Sequence, residues 1–154
     1  MNVDFIAMVC NTIHLYHSYL QSKIKIPILN LRDEVEKSLK NLKSILVIAT
    51  PLTTEKLYDF NNIVKPDKQE IIKLSEAILN FNKGNNKDKQ IQLTRNICGK
   101  YLNSGVSSIL LGCTEFAVML KDEDIPKINT IDILVESTIK KLITFKKLKG
   151  VDLA

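Results

Sequence analysis

The chain of 154 residues has no tryptophan, only three cysteines and only two histidines. It also has no apolar run near the ~20 residues that a membrane-spanning helix needs, so none is expected. The opening Met1-Asn2-Val3-Asp4 lacks the basic region of a secretory signal, and the expected location is cytoplasmic. An odd and small number of cysteines gives no disulfide framework. Free thiols are the expectation in a reducing compartment. The missing tryptophan, beside abundant Ile, Lys and Asn, says more about codon bias than about chemistry. The net charge of +5 is not gathered into a patch. Lysines are scattered along helical stretches (Lys37, Lys40, Lys43; Lys140, Lys141) and are not interleaved with aromatics, so a solvated surface is expected and no nucleic-acid partner.

The residues present are those of a globular protein, 45% hydrophobic and 25% charged, enough for one domain or two small lobes sharing a core. Strand-like runs alternate with helical patterns, which predicts an α/β fold with parallel sheets flanked by helices. Residues 3–9 are a nearly continuous apolar run, as for a strand covered on both faces. A helix over 11–23 and a strand at 26–29 follow. Val35, Leu39 and Leu42 recur at helical spacing and predict a helix over 33–42. Further strands are expected at 44–49, 63–64, 106–111 and 127–129. Helices are expected at 53–60, 67–82, 88–103, 115–120 and 132–146, with a Gly/Asn loop at 82–86. No low-complexity segment or long linker interrupts them.

Two segments share one plan. Phe5-Ile6-Ala7-Met8-Val9-Cys10-Asn11-Thr12 leads through a helix to Ile26-Pro27-Ile28. Ser108-Ile109-Leu110-Leu111-Gly112-Cys113-Thr114-Glu115 leads through a helix to Ile125-Pro126-Lys127-Ile128. In each, a buried strand delivers a cysteine to its carboxyl end, where ligands of open α/β sheets collect. A thiol there sits beside the amino end of the next helix, whose partial positive charge favours thiolate. Thr12 and Thr114 are placed to cap those helices, and their hydroxyls to hold a carboxylate. A single cysteine in this position is more often a small buried hydrophobe. Two at equivalent positions, each followed by capping residues, point to facing functional thiols. Cys98, within a helix and beside Ile97, is expected to be structural.

Cys10-Asn11-Thr12-Ile13-His14 resembles the first-cysteine motif of the aspartate/glutamate racemase family, and Gly112-Cys113-Thr114-Glu115 resembles the second. Glu115 is similar to the aspartate-racemase branch. The resemblance extends through Ile26-Pro27-Ile28, Ile48-Ala49-Thr50 with Thr53 and Tyr58, and Lys83-Gly84-Asn85. It implies racemisation without pyridoxal phosphate, metal or other cofactor. One cysteine thiolate removes the α-proton and the other, as thiol, returns a proton to the opposite face. It further implies Cys10 and Cys113 as the acid/base pair. Asn11, Thr12, Ile13, Thr114 and Glu115 would bind substrate, and Lys83 would meet the side chain of an acidic amino acid, aspartate before glutamate.

The chain departs from that pattern in places. The family places a glycine-rich strand–loop–helix and two more strands, with an arginine for the acidic side chain, before the first cysteine. Here Cys10 stands near the start. Val9 replaces a usual Pro, Pro51-Leu52 a Thr-Gly pair, and Asn129 a usual Asp. The expectation is a truncated first lobe (1–43 with 132–154) joined to a complete second lobe (44–131) with a four-strand parallel sheet. Exposed apolar surface on the first would favour a homo-oligomer or a complementing N-terminal chain. The alternative is a catalytically silent remnant, an α/β binding module. Two further readings use Cys10, His14 and Cys113 as metal ligands, which lack an evident fourth partner, or Cys10 with His14 or His17 as a hydrolase, which lacks an orienting Asp. His14 is more often a helix-packing or capping residue in such a place, and is also a candidate to stabilise a Cys10 thiolate.

Overall fold

The structure, a computed structural model, describes residues 3–148. Four parallel strands form one sheet: β1 (Ile45–Ile48), β2 (Ile63–Val64), β3 (Ser108–Leu111) and β4 (Lys127–Asn129), in the order β2-β1-β3-β4. This is the parallel sheet expected of the second lobe. Both β1 and β3 are buried at every position, which explains why they read as unbroken apolar runs and not as alternating ones.

The two faces of the sheet divide the side chains by parity. Leu46, Ile48, Ile109 and Leu111 point to one face and pack with α3 (Lys68–Asn82), α4 (Lys87–Asn103) and α5 (Thr114–Met119) through Leu74, Ile78, Ile97, Cys98 and Phe116. Ile45, Val47 and Leu110 point to the other, against α2 (Leu31–Leu39) and α6 (Thr130–Leu148). Helix α2 begins and ends earlier than its apolar spacing predicts, because Leu31, Val35 and Leu39 form the stripe that is buried. Leu42 lies beyond it and is exposed. Helix α3 starts at a capping box: the Asp67 carboxylate accepts from the Glu70 N–H at 2.8 Å, and Glu70 accepts from the Asp67 N–H at 3.2 Å. Gly84 at φ +76° and Asn86 at φ 45° turn the chain from α3 into α4.

The first segment departs from expectation. The strands predicted at 3–9 and 26–29 reduce to one parallel bridge, Ile6 with Ile28. The Ile6 N–H donates to Pro27 O at 2.9 Å and the Leu29 N–H donates to Ile6 O at 2.8 Å. Among the described residues no further strand pairs with this bridge, so its apolar run has nothing to extend the ladder. The helix predicted over 11–23 is a 3-10 turn, Thr12–Tyr16, followed by α1 (His17–Lys23). The helix predicted over 53–60 is a π-helical turn, Thr53–Leu57. Helix α6 ties the first segment down: Phe5 stacks on Phe145 with ring centroids 5.8 Å apart, and Ser137 donates to Glu34 at 2.9 Å. Among the described residues no helix is long and apolar enough to cross a membrane.

Candidate active site

The carboxyl ends of the strands converge on one cleft. Segments 9–12 and 112–115, with Thr50 just beyond β1, line a cavity of about 390 Å³. Both echoed cysteines reach it, Cys10 exposed and Cys113 half-buried. A larger depression of about 650 Å³ lies at the amino ends of β1 and β2, between α2 and residues 60–62. It holds no cysteine and none of the expected site residues, so the smaller cleft is where the chemistry has to be sought.

The second cysteine follows a constrained turn. A side chain on Gly112 would begin 3.0 Å from Ala49 Cβ and 3.3 Å from the Tyr58 ring. Only glycine lets the end of β3 lie this close to β1, where the Gly112 N–H donates to Ile48 O at 2.9 Å. Cys113 then precedes α5, and its thiol donates to Glu115 Oε2 at 2.7 Å. The same oxygen accepts from Thr114 Oγ1 at 2.9 Å, and Glu115 Oε1 accepts from Asn82 Nδ2 at 2.9 Å. Burial opposes the charge on Glu115, but hydrogen bonds from Asn82, Cys113, its own N–H and Thr114 outweigh it and hold the carboxyl at about 2. Cys113 responds in the opposite sense. Burial first, then the Glu115 hydrogen bond and charge, with a smaller push from Cys10, raise its thiol to about 12. The expected helix-end preference for thiolate therefore does not hold here. A six-residue helix is overruled by desolvation and by a carboxylate in its own first turn. The Cys113 thiol is held protonated and donates to Glu115.

The first cysteine is carried by a segment tied down from both ends. Asn11 is 4% exposed. Its Oδ1 accepts from the Tyr58 hydroxyl, and its Nδ2 donates to Thr130 Oγ1 at 3.1 Å. Thr130 in turn donates to Leu111 O at 2.9 Å. This chain of bonds joins the Cys10 segment to the strand that delivers Cys113. Burial pushes the Tyr58 hydroxyl up, so it stays protonated. Thr12 Oγ1 lies 2.7 Å from Thr53 Oγ1 and 3.2 Å from Thr50 Oγ1, and Thr50 donates to Thr53 at 3.0 Å. Neither Thr12 nor Thr114 caps a helix as expected; each is the first residue of its turn and bonds side chains instead.

His14 takes the packing role and none of the functional ones. Nε2 lies 3.0 Å from Met8 O and so carries the proton, while Nδ1 accepts from the Leu31 N–H at 3.3 Å. Both nitrogens are committed to backbone, which removes His14 as a metal ligand, as a hydrolase base and as a partner of the Cys10 thiolate. Burial is the largest influence on the ring and lowers its pKa, aided by His17 and opposed by the Met8 carbonyl. His17 likewise bonds Ile28 O at 3.0 Å. Cys98 is fully buried in the core, as expected of a structural residue.

The structure thus brings together Cys10, Asn11, Thr12, Cys113, Thr114 and Glu115. It does not bring in Ile13, which is exposed on the 3-10 turn outside the cleft lining. Lys83 also lies outside the lining, exposed at the end of α3. Its neighbour Asn82 reaches Glu115 instead. Asn82 and Thr130 carried no sequence signal, one being a polar residue at a helix end and the other a threonine after a short strand.

The sequence model of the Asp/Glu/Hydantoin racemase family matches residues 1–138. The chain belongs to this family. It is 23% identical over 154 residues to the broad specificity amino-acid racemase RacX of Bacillus subtilis (strain 168), covering 94% of this chain and 67% of that protein. The structure of the Picrophilus torridus aspartate racemase matches with a TM-score of 0.72 and 28% identity, over 91% of this chain and 62% of that one. An aspartate racemase homologue from Pyrococcus horikoshii OT3 gives a TM-score of 0.71 and 22% identity, over 90% and 66%. The chain spans about two thirds of the length of these relatives. The α/β fold and its parallel sheet are those of the racemases.

Proposed function

We propose that this chain carries the two-thiol acid/base site of a cofactor-independent amino-acid racemase, acting at the α-carbon of a small acidic amino acid, aspartate before glutamate. The observation that carries the reading is that both motif cysteines, 103 positions apart in the sequence, line one cleft at the strand ends. Cys10 as thiolate takes the α-proton. The Cys113 thiol, bonded to Glu115, gives its proton to the opposite face, leaving Cys10 as thiol and Cys113 as thiolate. The α-hydrogen is a weak acid, so fixed donors must meet the developing charge. The hydroxyls of Thr12, Thr50 and Thr114 line the cleft and would donate to the substrate carboxylate by turning from their present partners, Thr53 and Glu115. Lys83, one residue beyond Asn82 and outside the cleft lining, is the proposed partner of a second carboxylate.

The lobe boundaries belong to the same proposal: 44–131 as one lobe, and 1–43 with 132–154 as the other, which lends α2 to the sheet; residues 1–2 and 149–154 lie outside the described ones. Val3, Val9, Tyr16 and Tyr19, all exposed on the first segment, form the surface for self-association or for a complementing N-terminal chain. The second reading, a silent binding module, is favoured by the exposure of Val9 and Cys10, which leaves water in the cleft. One experiment separates them. The purified chain is incubated with L-aspartate in deuterated water, and loss of the α-hydrogen signal is followed by NMR. Exchange that falls by about 10²–10⁴ in Cys10→Ser and Cys113→Ser chains supports the racemase. No exchange, or exchange unaffected by both substitutions, leaves the binding module.

A further inference from the structure

Glu115 faces Cys113 with one oxygen and Asn82 with the other. The two contacts come from different elements. Asn82 is the last residue of α3, and Glu115 lies in the first turn of α5, 33 positions away. A carboxylate free to rotate about its terminal bonds would share its time among many orientations. Clamping Oε1 with the Asn82 amide leaves Oε2 pointing at the thiol and at the Thr114 hydroxyl. We propose that Asn82 is a positioning residue for Cys113: through Glu115 it fixes the acceptor that keeps the proton on this thiol and aims it.

The proposal rests on Cys113 being an acid/base group, but it is read on the thiol itself and does not require turnover. The groups acting on Cys113 are Glu115 from α5 and Cys10 from the first segment, with burial the largest influence. The Asn82 bond is in turn the largest of the hydrogen-bond influences that favour the Glu115 anion. Removing it leaves Glu115 an anion between pH 7 and 10 but frees its orientation, so that the acceptor spends less time on the thiol. Cys113 should then ionise at lower pH and react faster with an alkylating agent, since the thiolate is the nucleophile.

The test is the rate of iodoacetamide labelling of Cys113 between pH 7 and 10, resolved from Cys10 and Cys98 by peptide mass spectrometry. Asn82→Ala should raise the rate at a fixed pH by about fivefold, the effect of one ordinary hydrogen bond. Glu115→Gln should raise it further, and Asn82→Gln should restore much of the original slowness. In a Glu115→Ala chain, adding Asn82→Ala should change nothing, which a merely structural effect at the end of α3 would not reproduce. The proposal is overturned if Asn82→Ala labels like the parent chain, or if it accelerates labelling equally with and without Glu115. Absent turnover with intact labelling behaviour would count against the racemase reading alone.

Discussion

Replacing Thr130 by Val tests the bond chain that joins the two cysteine segments. Thr130 is fully buried; it donates to Leu111 O at 2.9 Å and accepts from Asn11 Nδ2 at 3.1 Å. Valine has nearly the same shape, so the perturbation removes two bonds without opening a cavity. The carbonyl at the end of β3 and the Asn11 amide are left unpaired, and each buried orphan costs about 1–3 kcal/mol. Asn11 lines the cleft and water can reach part of its amide, which puts its share at the low end. The sum is about 2–4 kcal/mol. For a chain of this size each kcal/mol moves Tm by roughly 2–4 °C, so Tm should fall by about 5–15 °C. Urea unfolding followed by far-UV circular dichroism gives the free energy directly. A double-mutant cycle with Asn11→Ala should show a coupling of about 1 kcal/mol. A loss below about 0.5 kcal/mol, or strict additivity in the cycle, would falsify the assignment of this chain of bonds.

Three further outcomes follow from the same geometry. Gly112→Ala drives a methyl to 3.0 Å from Ala49 Cβ and 3.3 Å from the Tyr58 ring. Overpacking of this kind costs about 1–3 kcal/mol, measurable by the same urea transitions, and an unchanged midpoint would show that β1 and β3 can yield. His14 is held neutral, so its pKa in an NMR titration should lie below the ordinary 6.5. The unfolded chain takes up this proton first, so the contribution is complete above pH 6.5 and declines as pH falls through the lowered native value. His14→Gln should flatten that slope, and a native pKa at or above 6.5 would refute the neutral tautomer. Lys83→Ala should leave stability within about 0.5 kcal/mol and slow α-exchange of aspartate relative to alanine by up to about fivefold, the range of an exposed charge contact. Equal slowing of both substrates would remove Lys83 from side-chain recognition.

The parts legible in the sequence were those set by local pattern. β1 and β3 are buried on both faces, so their identity as strands required only an unbroken apolar run. The long helices α3 and α4 announced themselves by their pattern; the Asp67–Glu70 box came only with the structure. What could not be read depended on which partner each polar group finds, most often one distant in sequence. Residues 3–9 have the composition of a strand, yet a strand exists only where another backbone completes its hydrogen bonds, and Ile6 finds only Ile28. Thr12 and Thr114 have capping chemistry, but hydroxyls of Thr53 and the carboxylate of Glu115 compete for them. For His14 a packing role was legible, but nothing local reveals that Leu31 and Met8 claim both nitrogens. Asn82 was invisible for the same reason: its partner is 33 residues away.

The internal echo that suggested two equivalent thiols also shows where equivalence ends. Each cysteine follows an apolar run and opens a helical turn, but the surroundings diverge within two residues. Cys113 is followed two residues on by a carboxylate that accepts its hydrogen bond, and it is carried by an interior strand of a four-stranded sheet. Cys10 is exposed and is carried by a segment with a single bridge. On the racemase reading this imposes a definite asymmetry. The equilibrium constant between enantiomers is one, so kcat/KM must be the same in both directions whatever the thiols do. A resting state with the proton held on Cys113 can therefore express itself only by moving kcat and KM together, binding one enantiomer more tightly and turning it over more slowly. The sequence repeat supplies two thiols; Glu115 makes them unequal, and chemical inequality at the site is compatible with a reaction that has no preferred direction.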